Sequence, residues 1–340
     1  MKKKGFFWLT LIVTYLVLII FGLWYGPYRI NPIKIFHSIF AQDSSGQTEL
    51  IRTIVLKIRF SRLMLASFVG IALSTSGVIF QGLLRNPLAD PFTLGVSTGA
   101  AFGASLAMIF GINIGWSLGG LGLLPVVSMV GALLALFFVI HLSKVDGLLR
   151  PAQMILAGIV VSTFLSALIS LLKSLDEESL SAIVFWMLGS FSGRGWVHVL
   201  FAAPYIVFGL LIFINYAKEL DIMSLGDIEA HHLGVNIYQV RLILLISACI
   251  TTSAAVSVSG IIGFIGLVVP HLLRLIQGPS HKELLISSAI LGASLMVASD
   301  LLAQNILPAG EEIPVGVITT LIGGPFFCYI LKIKKQEIAS

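Results

Sequence analysis

The sequence predicts an all-α, polytopic membrane protein with ten transmembrane helices in a single domain over residues 1–340. Three observations lead there. Of the 340 residues, 57% are hydrophobic and 11% charged, against about 25% charged in an average soluble chain. Apolar runs near 20 residues recur along the chain, the length that crosses a hydrocarbon layer about 30 Å thick. The polar residues collect between those runs, most densely over 221–241, DIMSLGDIEAHHLGVNIYQVR.

The first run, 6–26, follows Lys2, Lys3 and Lys4. It is longer than the apolar core of a signal peptide and no A-x-A-like cleavage site follows it, so it reads as a retained span. The other predicted spans are 63–84, 92–114, 121–142, 154–172, 197–216, 242–259, 261–276, 284–302 and 313–331. An even number returns both termini to one side. The lysines at the N-terminus, with Lys332, Lys334 and Lys335 at the other end, make that side the cytoplasm.

Between the first two spans, 27–62 carries Arg29, Lys34, Arg52, Lys57, Arg59 and Arg62 against only Asp43 and Glu49. On the outer side this opposes the usual bias. It reads as a rim that attracts an acidic partner or anionic ligand; lipid phosphates, or capping of the second span, are the plainer alternative. Ala66, Gly70, Ser74 and Gly77 in the second span, and Gly95, Gly99 and Gly103 in the third, predict close helix contacts. The intervening RNPLADP, 85–91, is a tight turn in which Asp90 can offset Arg85. Pro151 suits the start of the fifth span.

After Asp176, Glu177 and Glu178 comes a 12-residue apolar piece, 182–193, too short to cross. It reads as a re-entrant or interfacial helix, and Phe185 and Trp186 fit either a cavity wall or an interfacial belt. The 261–276 run carries Gly263, Gly266 and Pro270 behind Gly260, so it should be kinked, with His271 and Arg274 snorkelling at its inner end. Asp300 has no obvious local partner, and Glu311 and Glu312 follow it without positive charge. Cys249 and Cys328 sit in apolar runs and read as packing residues.

Within 221–241, Ser224 and Asp227 suggest a capping box and Gly234 a helix stop, predicting about two helical turns over 225–233. So short a helix needs a surface to rest on. Little else in the chain is soluble, so that surface is expected on another subunit. His231 and His232 lack the Cys or carboxylate spacing of a metal site and read as a solvated face; no metal site is expected. The chain has no G-x-x-x-x-G-K-[ST] to hold a nucleotide. It is therefore not expected to be an enzyme, nor does anything point to nucleic acid. An ion-coupled transporter would need intramembrane carboxylates, and the spans are nearly free of them.

Several blocks in order resemble the FecCD-type permeases, the membrane subunits of ABC importers for ferric siderophores, haem and cobalamin. They run from Arg59-x-x-Arg62 through Gly70, Ser76-Gly77, Gln81, RNPLADP, Leu94-Gly95 and Gly99-Ala100. Phe185-Trp186-Met187-Leu188-Gly189-Ser190, Ser224-Leu225-Gly226-Asp227, Leu233-Gly234-Val235, Ser257 to Gly260, Pro270-His271 and Pro314-Val315-Gly316-Val317 continue the likeness, which covers roughly 50–332.

The resemblance implies a type II importer permease in a bacterial cytoplasmic membrane, paired with a second copy or a paralogue. Two cytoplasmic ATPases and an extracytoplasmic binding protein complete the machine, with ATP and Mg acting on the ATPases and no cofactor on this chain. It makes 224–236 the segment that meets the ATPase, with Leu225, Gly226, Asp227, Glu229, Ala230, Leu233 and Gly234 as coupling residues; Glu229-Ala230 and Gly234 loosely match the importer signature E-A-x-x-x-G. It makes Arg59 and Arg62, with neighbouring Arg52 and Lys57, the docking site for the binding protein. The pathway it implies runs along the fifth, eighth and tenth spans and the short segment, with Phe164, Ser166, Phe185, Trp186, Ser190, Gly260, Phe264 and Pro270 as candidates. Two departures stand out: Phe60-Ser61 replaces the proline usual between the arginines, and Gln304 stands where an arginine is frequent. The implied cargo is a ferric complex, siderophore or haem, with cobalamin as the alternative.

Overall fold

A computed structural model describes residues 2–26, 28–40, 46–111, 121–145 and 148–339. The chain order is α1 (Lys2–Trp24), α2 (Pro32–Phe40), α3 (Gly46–Arg52), a π-helical stretch (Thr53–Arg59), α4 (Phe60–Leu83), α5 (Val96–Ile109) and α6 (Leu124–Ser143). A two-stranded antiparallel hairpin follows, β1 (Lys144–Val145) with β2 (Leu148–Leu149). Then come α7 (Pro151–Leu175), α8 (Glu177–Met187), α9 (Trp196–Asn215), α10 (Ala217–Met223), α11 (Asp227–His232), α12 (Ile237–Ser259), α13 (Ile265–Gln277), α14 (His281–Asn305), a 3₁₀ turn (Pro308–Gly310) and α15 (Val315–Ala339).

Among the described residues, seven helices are long and apolar enough to cross a membrane, and three shorter apolar helices, Val96–Ile109, Ile265–Gln277 and Val315–Cys328, occupy the other predicted spans. The third span is thus a 14-residue helix; its expected end at 112–114, like Asp43 of the basic loop, lies outside the described residues.

The centre of the bundle is α4, packed on α12, α13 and α14. Its small residues cause this. A Cβ added at Gly70 would stand 2.3 Å from the Gly292 carbonyl oxygen, and one at Gly77 only 1.8 Å from that of Gly266. Backbones therefore touch, as the small-residue ladders predict. Gly99 and Gly103 meet Gly131 in the same way, joining α5 to α6. By contrast α1 lies on the outside, with Ile12, Leu16 and Ile20 exposed.

Side-chain contacts sort the helix ends onto two faces. On the near face Lys4 meets Glu283 at 2.9 Å, His281 meets Asp221, and the turn after α4 meets α11 through Arg85 and Asp227. On the far face Arg59 reaches the end of α1, the Trp196 indole donates to the Leu56 carbonyl at 3.0 Å, and Arg62 meets Glu312 at 2.8 Å.

The largest correction concerns 27–62. It is not an open loop: α2 and α3 fold within it, and from Gly46 the helix runs unbroken to Leu83, 38 residues in all. At the departure Phe60-Ser61 a proline would have no N–H to give. Here the Phe60 N–H bonds the Val55 carbonyl, the i to i−5 pattern of a π helix, and the Ser61 hydroxyl donates to the Ile58 carbonyl at 3.0 Å. The helix therefore continues through both arginines.

Candidate functional site

The near face presents α11. It begins at Asp227, two residues later than predicted, and has no capping box. Ser224 belongs to the preceding turn, where its hydroxyl donates to the Asp221 carbonyl at 2.6 Å, and the N-cap is Gly226 at φ +147°. A Cβ there would overlap the Glu229 carboxylate, so glycine lets the chain enter the helix beneath that side chain. The predicted stop holds. Gly234, at φ +82°, donates to the His231 carbonyl at 3.0 Å while Val235 donates to that of Ala230 at 3.0 Å, the paired bonds of a Schellman ending.

This six-residue helix rests in part on its own chain, where its supporting surface was expected on another subunit. Ala230 is fully buried. The Asp227 carboxylate accepts from Arg85 and from Arg241 Nη2 at 3.2 Å; Arg85 also donates to the Met223 carbonyl at 2.6 Å, and Arg241 to that of Leu149. Arg85 is thus not offset by Asp90, whose Oδ1 instead accepts the Phe92 N–H at 3.0 Å to shape its own turn. One carboxylate fastens α11 to the end of α4 and the start of α12. The opposite side of the segment is bare: Leu225, Ile228 and Leu233 are 66%, 72% and 61% exposed, and Glu229, His231 and His232 are exposed beside them. Neither arginine was assigned to this site from sequence, although Arg241 closes the 221–241 stretch and Arg85 opens the RNPLADP block.

On the far face the four predicted docking residues divide. Arg52 and Lys57 are exposed. Arg59 is buried and donates through Nη1 to the Leu23 and Trp24 carbonyls, both at 2.8 Å, with Nη2 on the Tyr28 carbonyl; it caps the C-terminus of α1, whose last carbonyls have no helical partner. Arg62 is turned inward. Its Nε and Nη2 meet the two Asp300 oxygens at 2.9 and 2.8 Å, and Nη1 and Nη2 meet those of Glu312 at 2.8 and 3.0 Å. Asp300 and Glu312, read as lacking a positive partner, therefore share one. Gln304 joins them, donating to Asp300 at 2.8 Å.

The short segment 182–193 begins earlier than predicted, as α8, with Asp176 accepting the Glu178 N–H at 3.1 Å and the Ser179 hydroxyl at 2.6 Å; these hydrogen bonds hold the Asp176 carboxyl below its ordinary range. Three backbone breaks meet at its end. A Cβ at Gly260, φ +74°, would lie 2.1 Å from the Trp186 carbonyl oxygen; one at Gly189 would lie 2.6 Å from that of Ile261, and one at Gly316 would lie 2.2 Å from that of Leu188. The Ser190 N–H bonds the Ser259 carbonyl at 2.8 Å. Residues 260–264 are unwound between α12 and α13, as the glycines predict, while α13 runs on through Pro270, and Phe264 packs on Gly323.

The candidate pathway residues do not form one lining. Trp186, Gly260 and Pro270 are buried inside the chain; Trp186 and Gly260 meet at the break, and Pro270 lies within α13. Phe185, Ser166 and Phe164 are exposed, and Ser190 and Phe264 half-buried. Phe164 lines an apolar groove of about 410 Å³ with α5 and α6, and Ser166, two positions on, points from another side of α7. Among the described residues no group of three His, Cys, Asp or Glu side chains could hold a metal.

Residues 13–333 match the FecCD transport family. The chain is 40% identical over 287 residues to the hemin transport system permease protein HmuU of Yersinia pestis, covering 83% of this chain and 84% of that one. It is 39% identical over 287 residues to the cobalamin import system permease protein BtuC of Halobacterium salinarum, covering 84% and 75%. An inward-facing structure of an ABC transporter assigned to the metal-chelate type without proof of its cargo superposes with a TM-score of 0.82 at 31% identity, covering 95% of this chain and 98% of the other.

Proposed function

This chain belongs to the FecCD transport family, and from that premise we propose that it is the permease through which an ATP-driven importer moves a ferric complex, siderophore or haem, across the cytoplasmic membrane. Two copies, or this chain and a paralogue, enclose the passage. The near face is cytoplasmic, with both termini on it, and the far face meets the binding protein that delivers cargo.

The observation that carries this reading is α11. Leu225, Ile228 and Leu233 offer apolar surface to a partner, while Asp227 ties the same helix to α4 and α12 through Arg85 and Arg241. Exposed apolar side chains on a rigidly mounted helix suit a partner's cleft. A push on α11 is carried along α12 to Ser259, next to the break at Gly260, and along α4 to Arg62. ATP hydrolysis on a separate motor thus acquires a mechanical route to the passage.

In this reading cargo is delivered at the far face. Of the four predicted docking residues Arg52 and Lys57 are the exposed ones and, with the exposed Arg29 and Lys34 of the same segment, take the acidic groups of the binding protein first. Arg59 and Arg62 contribute by fixing the surface from beneath.

The haem-permease relative supports a ferric cargo, and the metal-chelate description of the structural neighbour suits a metal complex of either kind. The cobalamin-permease relative, at nearly the same identity, favours a second reading in which the cargo is cobalamin. Proteoliposomes containing the permease, its ATPases and the loaded binding protein distinguish them. ATP-dependent uptake of a ferric siderophore or haem is the expected result; uptake of cobalamin alone establishes the second reading. Uptake without ATPase subunits overturns the whole assignment.

A further inference from the structure

Behind α11, on the near face, the turn after α4 and the facing ends of α13 and α14 enclose a cavity of about 370 Å³, a size that holds a small ligand. Among the described residues its lining includes Gln81, Arg85, Asn86, Arg274 and His281, and no carboxylate. Arg85 is occupied by Asp227 and the Met223 carbonyl. Arg274 is not so engaged: among the described residues its Nε and Nη2 are buried without a hydrogen-bond partner. These two N–H groups lie side by side on one edge of the guanidinium, the fork that takes two oxygens of one anion. His281 is 1% exposed, its Nδ1 lies 2.5 Å from Asp221, and its Nε2 is likewise buried without a partner among the described residues.

Buried polar atoms left without partners are costly, and proteins seldom leave several in one place. Asp221 neutralises part of this charge from beside the cavity, but its Oδ1 already accepts the His281 backbone N–H at 2.9 Å. A planar carboxylate would be filled by the Arg274 fork alone. A tetrahedral phosphate has a further oxygen for the cationic edge contributed by Arg85 and, as hydrogen phosphate, a hydroxyl that can donate to the His281 Nε2 lone pair.

We propose that this cavity is a phosphate-binding site, with Arg274 as its bidentate ligand and His281 closing it from α14. The site lies between α11 and the membrane helices that α11 moves. A phosphate held there braces the turn after α4 against α13 and α14. The same chemistry is offered by inorganic phosphate and by the headgroup of an anionic phospholipid.

The test uses the full-length permease and follows thermal unfolding in two arms: detergent with sodium phosphate against sodium chloride at equal ionic strength, and nanodiscs of phosphatidylcholine with or without phosphatidylglycerol. Binding raises the unfolding midpoint by about 3 °C at saturating ligand. A rise with sodium phosphate identifies free phosphate as the source, and one confined to phosphatidylglycerol identifies lipid. Arg274→Gln abolishes the rise. Arg274→Lys, which keeps the charge but not the fork, retains a fraction of it and serves if the glutamine variant does not fold. No rise in either arm, or an undiminished rise in both variants, overturns the proposal. So does a rise lost on adding the ATPase subunits, which would make an acidic side chain of the motor the occupant.

Discussion

Arg62 and Asp300, 238 positions apart in sequence, form a two-point ion pair inside the bundle, with Nε to Oδ2 at 2.9 Å and Nη2 to Oδ1 at 2.8 Å. Asp300 is fully buried and Arg62 nearly so. Burying both charges is costly, and removing one partner strands the other. The pair therefore locks α4 to α14 on the far face, and Glu312 extends the lock to the segment before α15.

Reversing Arg62 to Glu would set three carboxylates against one another. Its expected effect is a loss on the order of 3–5 kcal/mol of stability, read as a fall in folded yield and unfolding midpoint in detergent. The exchange Arg62→Asp with Asp300→Arg recovers part of that loss. A fully stable single reversal that fails only to respond to binding protein would show Arg62 acting as a docking residue.

Asp227→Asn keeps an acceptor for Arg85 and Arg241 but removes the charge. Asp227 is 45% exposed, so stability changes by less than about 1 kcal/mol. The effect falls on coupling: uptake per ATP hydrolysed drops about tenfold, as when roughly 1.4 kcal/mol of linkage between two sites is lost. ATPase and uptake rates measured on the same proteoliposomes check this.

Gly234→Val places a β-branched residue at φ +82°, with nothing within 4 Å to obstruct its side chain. The whole effect is backbone strain, about 1–2 kcal/mol, concentrated at the end of α11. The variant assembles with its ATPases but transports less per ATP. An unchanged ratio would show that the Schellman ending does not set the helix for its partner.

Gly260→Ala should be worse, because both space and conformation oppose it. The methyl would approach the Trp186 carbonyl oxygen to 2.1 Å at φ +74°, and backbone cannot swing aside as a side chain can. Loss of transport with the α11 contacts intact, judged by binding to the ATPases, is the expected result.

Asp90 gives a pH signature. Burial pushes its carboxyl from 3.8 up to about 6, opposed by the hydrogen bonds from Thr93 and Phe92. The folded chain holds this proton more tightly than the unfolded chain does. The associated stability is complete below the unfolded value near 3.8 and is lost as pH rises through about 6, on the order of 3 kcal/mol. Asp90→Asn flattens that part of the profile in chemical unfolding followed from pH 4 to 7; an unchanged slope would assign it to another group.

Much of this was legible in the chain itself, and the particular residues say why. The apolar runs located the helices, the glycines of α4 and α5 announced where backbones touch, Gly234 marked the end of α11, and Gly260 with Gly263 marked the broken eighth segment, whereas the helix runs on through Pro270. Each is a local property: a helical repeat, a missing side chain, a missing N–H. Even the misplaced start of α11 was a local error, a serine hydroxyl that bonded backward to Asp221 instead of forward.

The destinations of the charges were not legible. Arg62 had near neighbours in Lys57 and Glu49 and found Asp300 and Glu312; Arg85 sat five residues from Asp90 and found Asp227; Arg59 found the bare carbonyls of α1. Sequence determined that these cations exist on one side of the bundle or the other. Only the packing of distant helices decided what each faces, because a buried charge takes whatever counter-charge or carbonyl the folded backbone brings within about 3 Å, and chain separation has no part in that distance.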